Sequence, residues 1–244
     1  MVDIPMKSAQ PIGLGGLDCL NRITNSSLRD RELRCNGGTQ SNTRQGQCYS
    51  SSTVQRNKIE QPDSGMKHIK KGQKIAISGI DNIDVILRWD TDRSVYGLDA
   101  ECFMVDKQDR VIGDDWFVFY GSPESPDKSV IHNGDTGTEE IISIQLSKVD
   151  SRVQKLVFVL TINEALEMGL NFSGVSNAQV IIKDKRNGKS LLGFTLTDYY
   201  DTVTSMVVGE IYRYNNEWKF NAVGNGVAAD LLGLCQRYGV NAEN

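Results

Sequence analysis

The sequence predicts an all-β fold: an antiparallel β-sandwich with two short helices, behind a low-complexity N-terminal segment. Three observations lead there. Short apolar runs recur from Ile83 to Val223, several with the period-two alternation of a strand buried on one face. Between them, Asn187-Gly188 and Asn215-Asn216 are residue pairs that tolerate the positive φ of a two-residue hairpin turn. Composition also changes near Met66. Before it, Ser, Thr, Asn, Gln, Gly and Arg dominate and aromatic residues are nearly absent, so little could offset the entropy lost on ordering. Residues 1–65 are therefore expected to be disordered and residues 66–244 to form the folded domain.

Within the first segment, the Gly-Leu-Gly-Gly run at 13–16 reads as a flexible loop and not a phosphate loop, because no Gly-Lys-Ser/Thr follows. Ile12, Leu14, Leu17 and Leu20 share a short amphipathic face, but the glycines and the brevity disfavour an isolated helix. In the folded part, Ile83, Val85, Leu87 and Trp89 alternate with more polar neighbours as in a strand. A second strand is expected over Leu98–Val105, a turn over Asp106–Asp109, and a compact aromatic strand over Trp116–Tyr120. Ile141–Leu146 and Leu156–Ile162 are further β-rich runs. Around 163–170, Glu164 to Met168 favour a short helix that Gly169 ends. Gln179–Lys183 and Leu191–Leu196 flank the first hairpin signal, and Met206–Tyr214 and Trp218–Val223 flank the second. In a C-terminal helix, Val227, Leu231, Leu234, Cys235 and Tyr238 line one apolar face, with Asn225 as expected N-cap and Gly239 as stop. No internal repeat is visible.

The 244 residues carry 27 Lys and Arg against 31 Asp and Glu, a net charge of -4. That balance argues against nucleic-acid binding, which calls for a basic face. No apolar run approaches the roughly 20 residues that cross a bilayer. Met1 to Gln10 lacks the basic start and apolar core of a secretory signal, so a cytoplasmic location is expected. The cysteines (Cys19, Cys35, Cys48, Cys102 and Cys235) are odd in number and form no Cys-x-x-Cys pair, as expected of reduced thiols. Cys102 and Cys235 fall in core patterns. His68 and His132 lie too far from the N-terminal cysteines for a zinc grouping.

Chemistry concentrates between Asp99 and Glu140, where strand-like runs alternate with loops of carboxylates, hydroxyls and glycines. Asp99, Asp114, Asp115, Asp135, Thr138, Glu139 and Glu140 are candidate oxygen ligands for a hard cation such as calcium, which takes about six to eight oxygens. Gly134 and Gly137 would let the loop bend its carbonyls inward. The same acids equally suit turn caps and strand ends, and the spacing is not that of an EF-hand. His132 near Asp135 has the makings of a general base, but no motif places a nucleophile beside it, and it reads as a loop histidine. Trp116, Phe117, Phe119 and Tyr120 suggest a stacking platform, although alternation should bury at least half of them. Asp198, Tyr199, Tyr200 and Asp201 read as a surface loop.

A family resemblance rests on motifs in a fixed order. These are Ile69-Lys70-Lys71-Gly72-Gln73-Lys74, Gly97-Leu98-Asp99-Ala100, Trp116 to Tyr120, Ser125-Pro126-Asp127, Gly134-Asp135, Val157-Phe158-Val159, Asn171-Phe172, Gly209 to Arg213, Glu217 to Phe220 and Ala222-Val223-Gly224. Over residues 67–240 the chain resembles the TerD family of tellurium-resistance and stress-response proteins. The resemblance implies a calcium-binding β-sandwich without enzymatic activity, in a stress system with an unknown protein partner or a peripheral membrane association. It carries over Asp99, Asp114 and Asp135. The chain departs from the family pattern at Gly97, Trp116 and Gly121, and its Gly134–Glu140 loop is shortened. One reduced calcium site is therefore the expectation. The alternative is a metal-independent adaptor domain that has lost the site.

Overall fold

The computed structural model describes residues 2–3, 65–91, 96–198 and 201–243. The expectations for residues 4–64, including the Gly13–Gly16 loop, the Ile12–Leu20 face and Cys19, Cys35 and Cys48, lie outside the described residues, as do Tyr199 and Tyr200. In chain order the elements are β1 (Val2–Asp3), β2 (Lys67–Ile69), β3 (Lys74–Ala76), β4 (Asn82–Thr91), β5 (Leu98–Val105), β6 (Phe117–Val118), β7 (Val130–Asp135) and β8 (Glu139–Gln145). Then come β9 (Lys155–Ile162), α1 (Ala165–Met168), β10 (Val175–Asp184), β11 (Lys189–Thr195), β12 (Ser205–Tyr214), β13 (Glu217–Val227), α2 (Leu231–Tyr238) and β14 (Ala242–Glu243).

Two six-stranded sheets face each other, as the alternating runs predict. One has the order β2-β11-β10-β4-β8-β7 and the other β3-β13-β12-β9-β5-β6. Their ladders are antiparallel except β2 with β11; outside the sheets, β1 and β14 form a short parallel pair. Ile83, Val85 and Leu87 of β4 point inward and meet Cys102 and Met104 of β5, Phe158 and Leu160 of β9, and Phe220 of β13 in one core. A second apolar layer lies outside the second sheet. There α2 sets Leu234, Cys235 and Tyr238 on Phe103, Val157, Val159 and Val207. Every residue of β5 is consequently buried, one face under the opposite sheet and the other under the helix. The Phe103 ring lies between those of Phe117 (4.4 Å) and Tyr238 (4.6 Å).

Three elements differ from expectation, each for a local reason. Trp116–Tyr120 is not one strand. Asp114–Trp116 is a 3-10 turn, only Phe117–Val118 pairs with β5, and Phe119 then exchanges both backbone bonds with Ser122, which turns the chain back. The Asn187-Gly188 turn has four residues, since Asp184 pairs with Lys189. The Asp184 carboxylate accepts from the Arg186 N–H and the Asn187 amide, and of the two expected turn residues only Gly188 has a positive φ. The C-terminal helix starts at Leu231, with Asp230 accepting the Gly233 N–H at 2.8 Å. Val227 and Asn225 remain in β13, paired with Ser205 and Val207.

The second hairpin follows the sequence rule: Tyr214 pairs with Glu217, and Asn215 (φ 49°) and Asn216 (φ 63°) make the two-residue turn. Asn216→Ala should therefore destabilise the domain by about 1 kcal/mol, whereas Asn216→Gly should be neutral or stabilising. Urea unfolding of the three proteins checks this; equal losses for Ala and Gly would contradict it.

Candidate functional site

β8 alternates, so Glu140, Ile142 and Ile144 point inward while Glu139 points out. This places a carboxylate in the seam between the sheets, with Glu140 fully buried. One of its oxygens, Oε2, accepts the Ala100 N–H at 2.7 Å. β6 reaches only Cys102, so the Ala100 amide lies on the part of β5 that β6 leaves uncovered. The same oxygen meets Nε2 of His132 at 2.9 Å. The Gly134 N–H donates to the other His132 nitrogen, Nδ1, at 3.2 Å, which makes Nδ1 the acceptor and puts the proton on Nε2, facing Glu140. His132 is thus a buried strand residue, 6% exposed, and not the loop histidine expected from the sequence. Its commitment to Glu140 follows from the shared ladder of β7 and β8.

Burial raises the Glu140 pKa above its ordinary 4.5; the bonds from His132 and Ala100 pull it back, and the nearby charge of Asp99 adds to the rise. Asp99 itself is 5% exposed on β5. Two residues on, Glu101 is fully buried and accepts the Thr161 hydroxyl at 2.7 Å. Sequence reasoning passed over Glu101. The signal was a carboxylate inside an apolar strand, in phase with Asp99.

The other candidates divide. Asp114 and Asp115 sit in the turn before β6, whose Phe117 pairs with Phe103. Phe103 is four residues along β5 from Asp99, about 13 Å at a rise of about 3.3 Å per residue. These two acids therefore belong to the other end of the strand. There Asp114 accepts the Asn241 N–H at 2.8 Å, which lowers its pKa, and Asp115 is exposed. Glu139 forms an ion pair with Arg88. Thr138 is exposed, and its carbonyl accepts the Trp89 N–H at 3.1 Å. The Asp135 backbone pairs with Glu140, and its side chain lies outside the described part. Gly134 (φ 96°) and Gly137 (φ 89°) take the left-handed conformations that the bend needs.

Among the described residues, no group of three or more His, Cys, Asp or Glu side chains is placed to hold a metal ion. The candidates whose side chains are described do not converge. Asp99 and Glu140 suit calcium in donor type and in their mutual repulsion; Asp114, Asp115 and the Arg88-bound Glu139 do not join them. Other readings narrow as well. Trp116, Phe117 and Phe119 are buried, which removes the stacking platform. Cys102 and Cys235 are buried, as their patterns predict, and burial pushes the Cys235 thiol up to about 12. Asp127 of the Ser-Pro-Asp motif builds a turn, accepting from the Ser125 hydroxyl (2.7 Å) and from the N–H groups of Ser129 (3.0 Å) and Asp150 (2.8 Å).

Fold and site together define a β-sandwich with Glu140 buried between its sheets and Asp99 and Glu101 buried on the other face of β5. The model of the TerD domain matches residues 66–238, and the chain belongs to that family. It is 37% identical over 187 residues to the tellurium resistance protein TerD of Serratia marcescens, covering 71% of this chain and 97% of that one. It is 33% identical over 186 residues to general stress protein 16U of Bacillus subtilis (strain 168), covering 70% and 96%. A crystal structure of a TerD homologue from Streptomyces coelicolor A3(2) shares the fold, with a TM-score of 0.50 at 20% identity over 68% of this chain and 100% of that one.

A raised carboxyl pKa means that the folded state holds the proton more tightly than the unfolded one. The stability from Glu140 is then full below its unfolded value and lost as pH rises through the folded value. Wild type should lose stability relative to Glu140→Gln as pH rises above the ordinary glutamate value of 4.5. Urea unfolding across that range checks it, and a constant difference would contradict it.

Proposed function

We propose that this chain is a non-enzymatic, cytoplasmic stress-response protein of the tellurium-resistance type. In this reading it takes calcium at Asp99 and Glu140, where Glu140 reaches the uncovered stretch of β5, and acts by contact with a protein partner or a membrane surface. One observation carries the calcium part. Glu140 accepts the N–H of Ala100, the neighbour of Asp99, so two buried carboxylates from different sheets approach at the uncovered stretch of β5. Like charges so held are relieved by a cation. Asp99 and Glu140 would hold the ion, with Asp135 and Thr138 as loop donors, and bound calcium would supply positive charge to tie the β7–β8 loop to β5. The names of the Serratia and Bacillus relatives support the stress-response part. The non-enzymatic part is supported by His132, whose ring nitrogens are both engaged, and by the burial of Cys102 and Cys235.

A metal-independent adaptor is the second reading. It is favoured by Arg88 on Glu139 and by the His132 and Ala100 donors on Glu140, which already meet charge that an ion would meet.

Calorimetric titration of the full chain with calcium separates the two. The calcium reading predicts binding tighter than about 1 mM, the weak limit of calcium modules. Asp99→Asn should weaken it at least about tenfold, an effect of ~1.4 kcal/mol. Asp109→Asn, whose carboxylate pairs with Lys155 at 2.7 Å, should leave it unchanged. No calcium heat, with no calcium-dependent shift in Tm, would leave the adaptor reading.

A further inference from the structure

We propose that the outer face of the second sheet, where α2 leaves it bare, is a docking surface for an anionic lipid membrane. This names the surface partner of the reading above; it rests on the contact part of that reading and not on calcium.

The chain has a net charge of -4, yet one edge of it is basic. The turn between β2 and β3 exposes Lys70, Lys71 and Lys74. It is held in place: Gln73 bonds back to Lys70 through both backbone and side chain, the Gly72 N–H donates to Ala222 at 2.7 Å, and the Ala222 N–H returns to Gln73 at 3.0 Å. The lysines are thereby fixed beside β13. Across the sheet, Ile211 points into the core, so Tyr212 and Tyr214 point out, and Tyr214 is 50% exposed. Lys219 sets its ammonium 3.9 Å from the centre of the Tyr214 ring, and Lys74 sits 5.9 Å from that of Tyr212. Carboxylates also face this region: Asp198 meets Lys71 at 3.3 Å, with both side chains well exposed, Glu210 is shared by Lys155 and Asn221, and exposed Glu217 lies cross-strand from Tyr214. Beside this face a groove of about 460 Å³ is lined by Lys71 and Arg237 with one carboxylate, Glu210, and by Val207, Val223 and Val227. Two cations against one carboxylate, beside three valines, match a lipid headgroup and the start of its chains.

The same cations would also attract a nucleic acid, but the rings decide against it. Single-stranded nucleic acid stacks its bases on open aromatic faces. Here lysine ammoniums lie over the Tyr214 and Tyr212 rings. Tyrosine with an exposed edge among lysines with long apolar stems is instead the chemistry of a membrane–water interface.

Co-sedimentation of the full chain with phosphatidylcholine vesicles, with and without phosphatidylserine, tests the proposal in chelator and in calcium. Binding is expected in chelator, only with phosphatidylserine present, and should weaken as salt rises. Each lysine near such a surface contributes on the order of fivefold, so Lys70→Glu, Lys71→Glu and Lys74→Glu together should weaken binding by more than about 100-fold. Tyr214→Ser should weaken it by a smaller factor. These residues are exposed or at the sheet surface, and an unchanged thermal melt shows that the variants fold; Lys74→Gln alone is the milder version. Vesicle binding that the lysine reversals leave intact would overturn the proposal. So would binding that appears only with calcium, or capture of a single-stranded oligonucleotide without capture of vesicles. Failure of vesicle binding in chelator leaves the calorimetric calcium result standing, so the two readings fail separately.

Discussion

The Glu140 carboxylate is the contact on which the site depends. It comes from one sheet, accepts a backbone N–H from the other, and is met by a histidine on the neighbouring strand. Burying a charge away from water is costly unless donors meet it, and each donor left without it would carry a similar penalty. The β7–β8 loop and the uncovered stretch of β5 are therefore locked in register. That lock brings Glu140 to Ala100, the neighbour of Asp99, from a position 40 residues away in sequence. It also limits what such a site can be, since much of the charge of Glu140 is already answered from within the protein.

A second constraint comes from α2. By covering part of the second sheet's outer face it converts β5 into a strand buried on both sides, and the stacked rings of Phe103, Phe117 and Phe119 run beneath it. The helix is short, so the tyrosines and lysines farther along β12 and β13 stay in water. The molecule thus has acids buried on both faces of β5 and a cluster of exposed lysines, although its overall charge is small for its size.

Most of the architecture was legible in the sequence because it follows local rules. Period-two alternation located β4, and Asn215-Asn216 made a two-residue turn because nothing competed with it. Asn187-Gly188 obeyed a different residue, Asp184, whose carboxylate captured the turn's donors. The candidate site was legible only as a composition. Adjacent acids on a strand point to opposite faces, so Glu139 and Glu140 have unrelated partners. Asp114 and Asp115 are near Asp99 in sequence but lie toward the other end of β5, because β6 pairs with Phe103 and not with Asp99. Glu101 and His132 were missed as buried groups because burial of a polar side chain depends on what crosses over it. The helix over one and the sheet seam around the other are both remote in sequence.

The central claim is that the acids form two separate groups and that only the Asp99–Glu140 group responds to calcium. Backbone amide shifts during a calcium titration test it most directly. The Ala100 and Gly134 amides, which bond to Glu140 and His132, should move together with the ion, while the Asn241 amide on Asp114 should stay in place. Movement at Asn241 without movement at Ala100 would contradict the account.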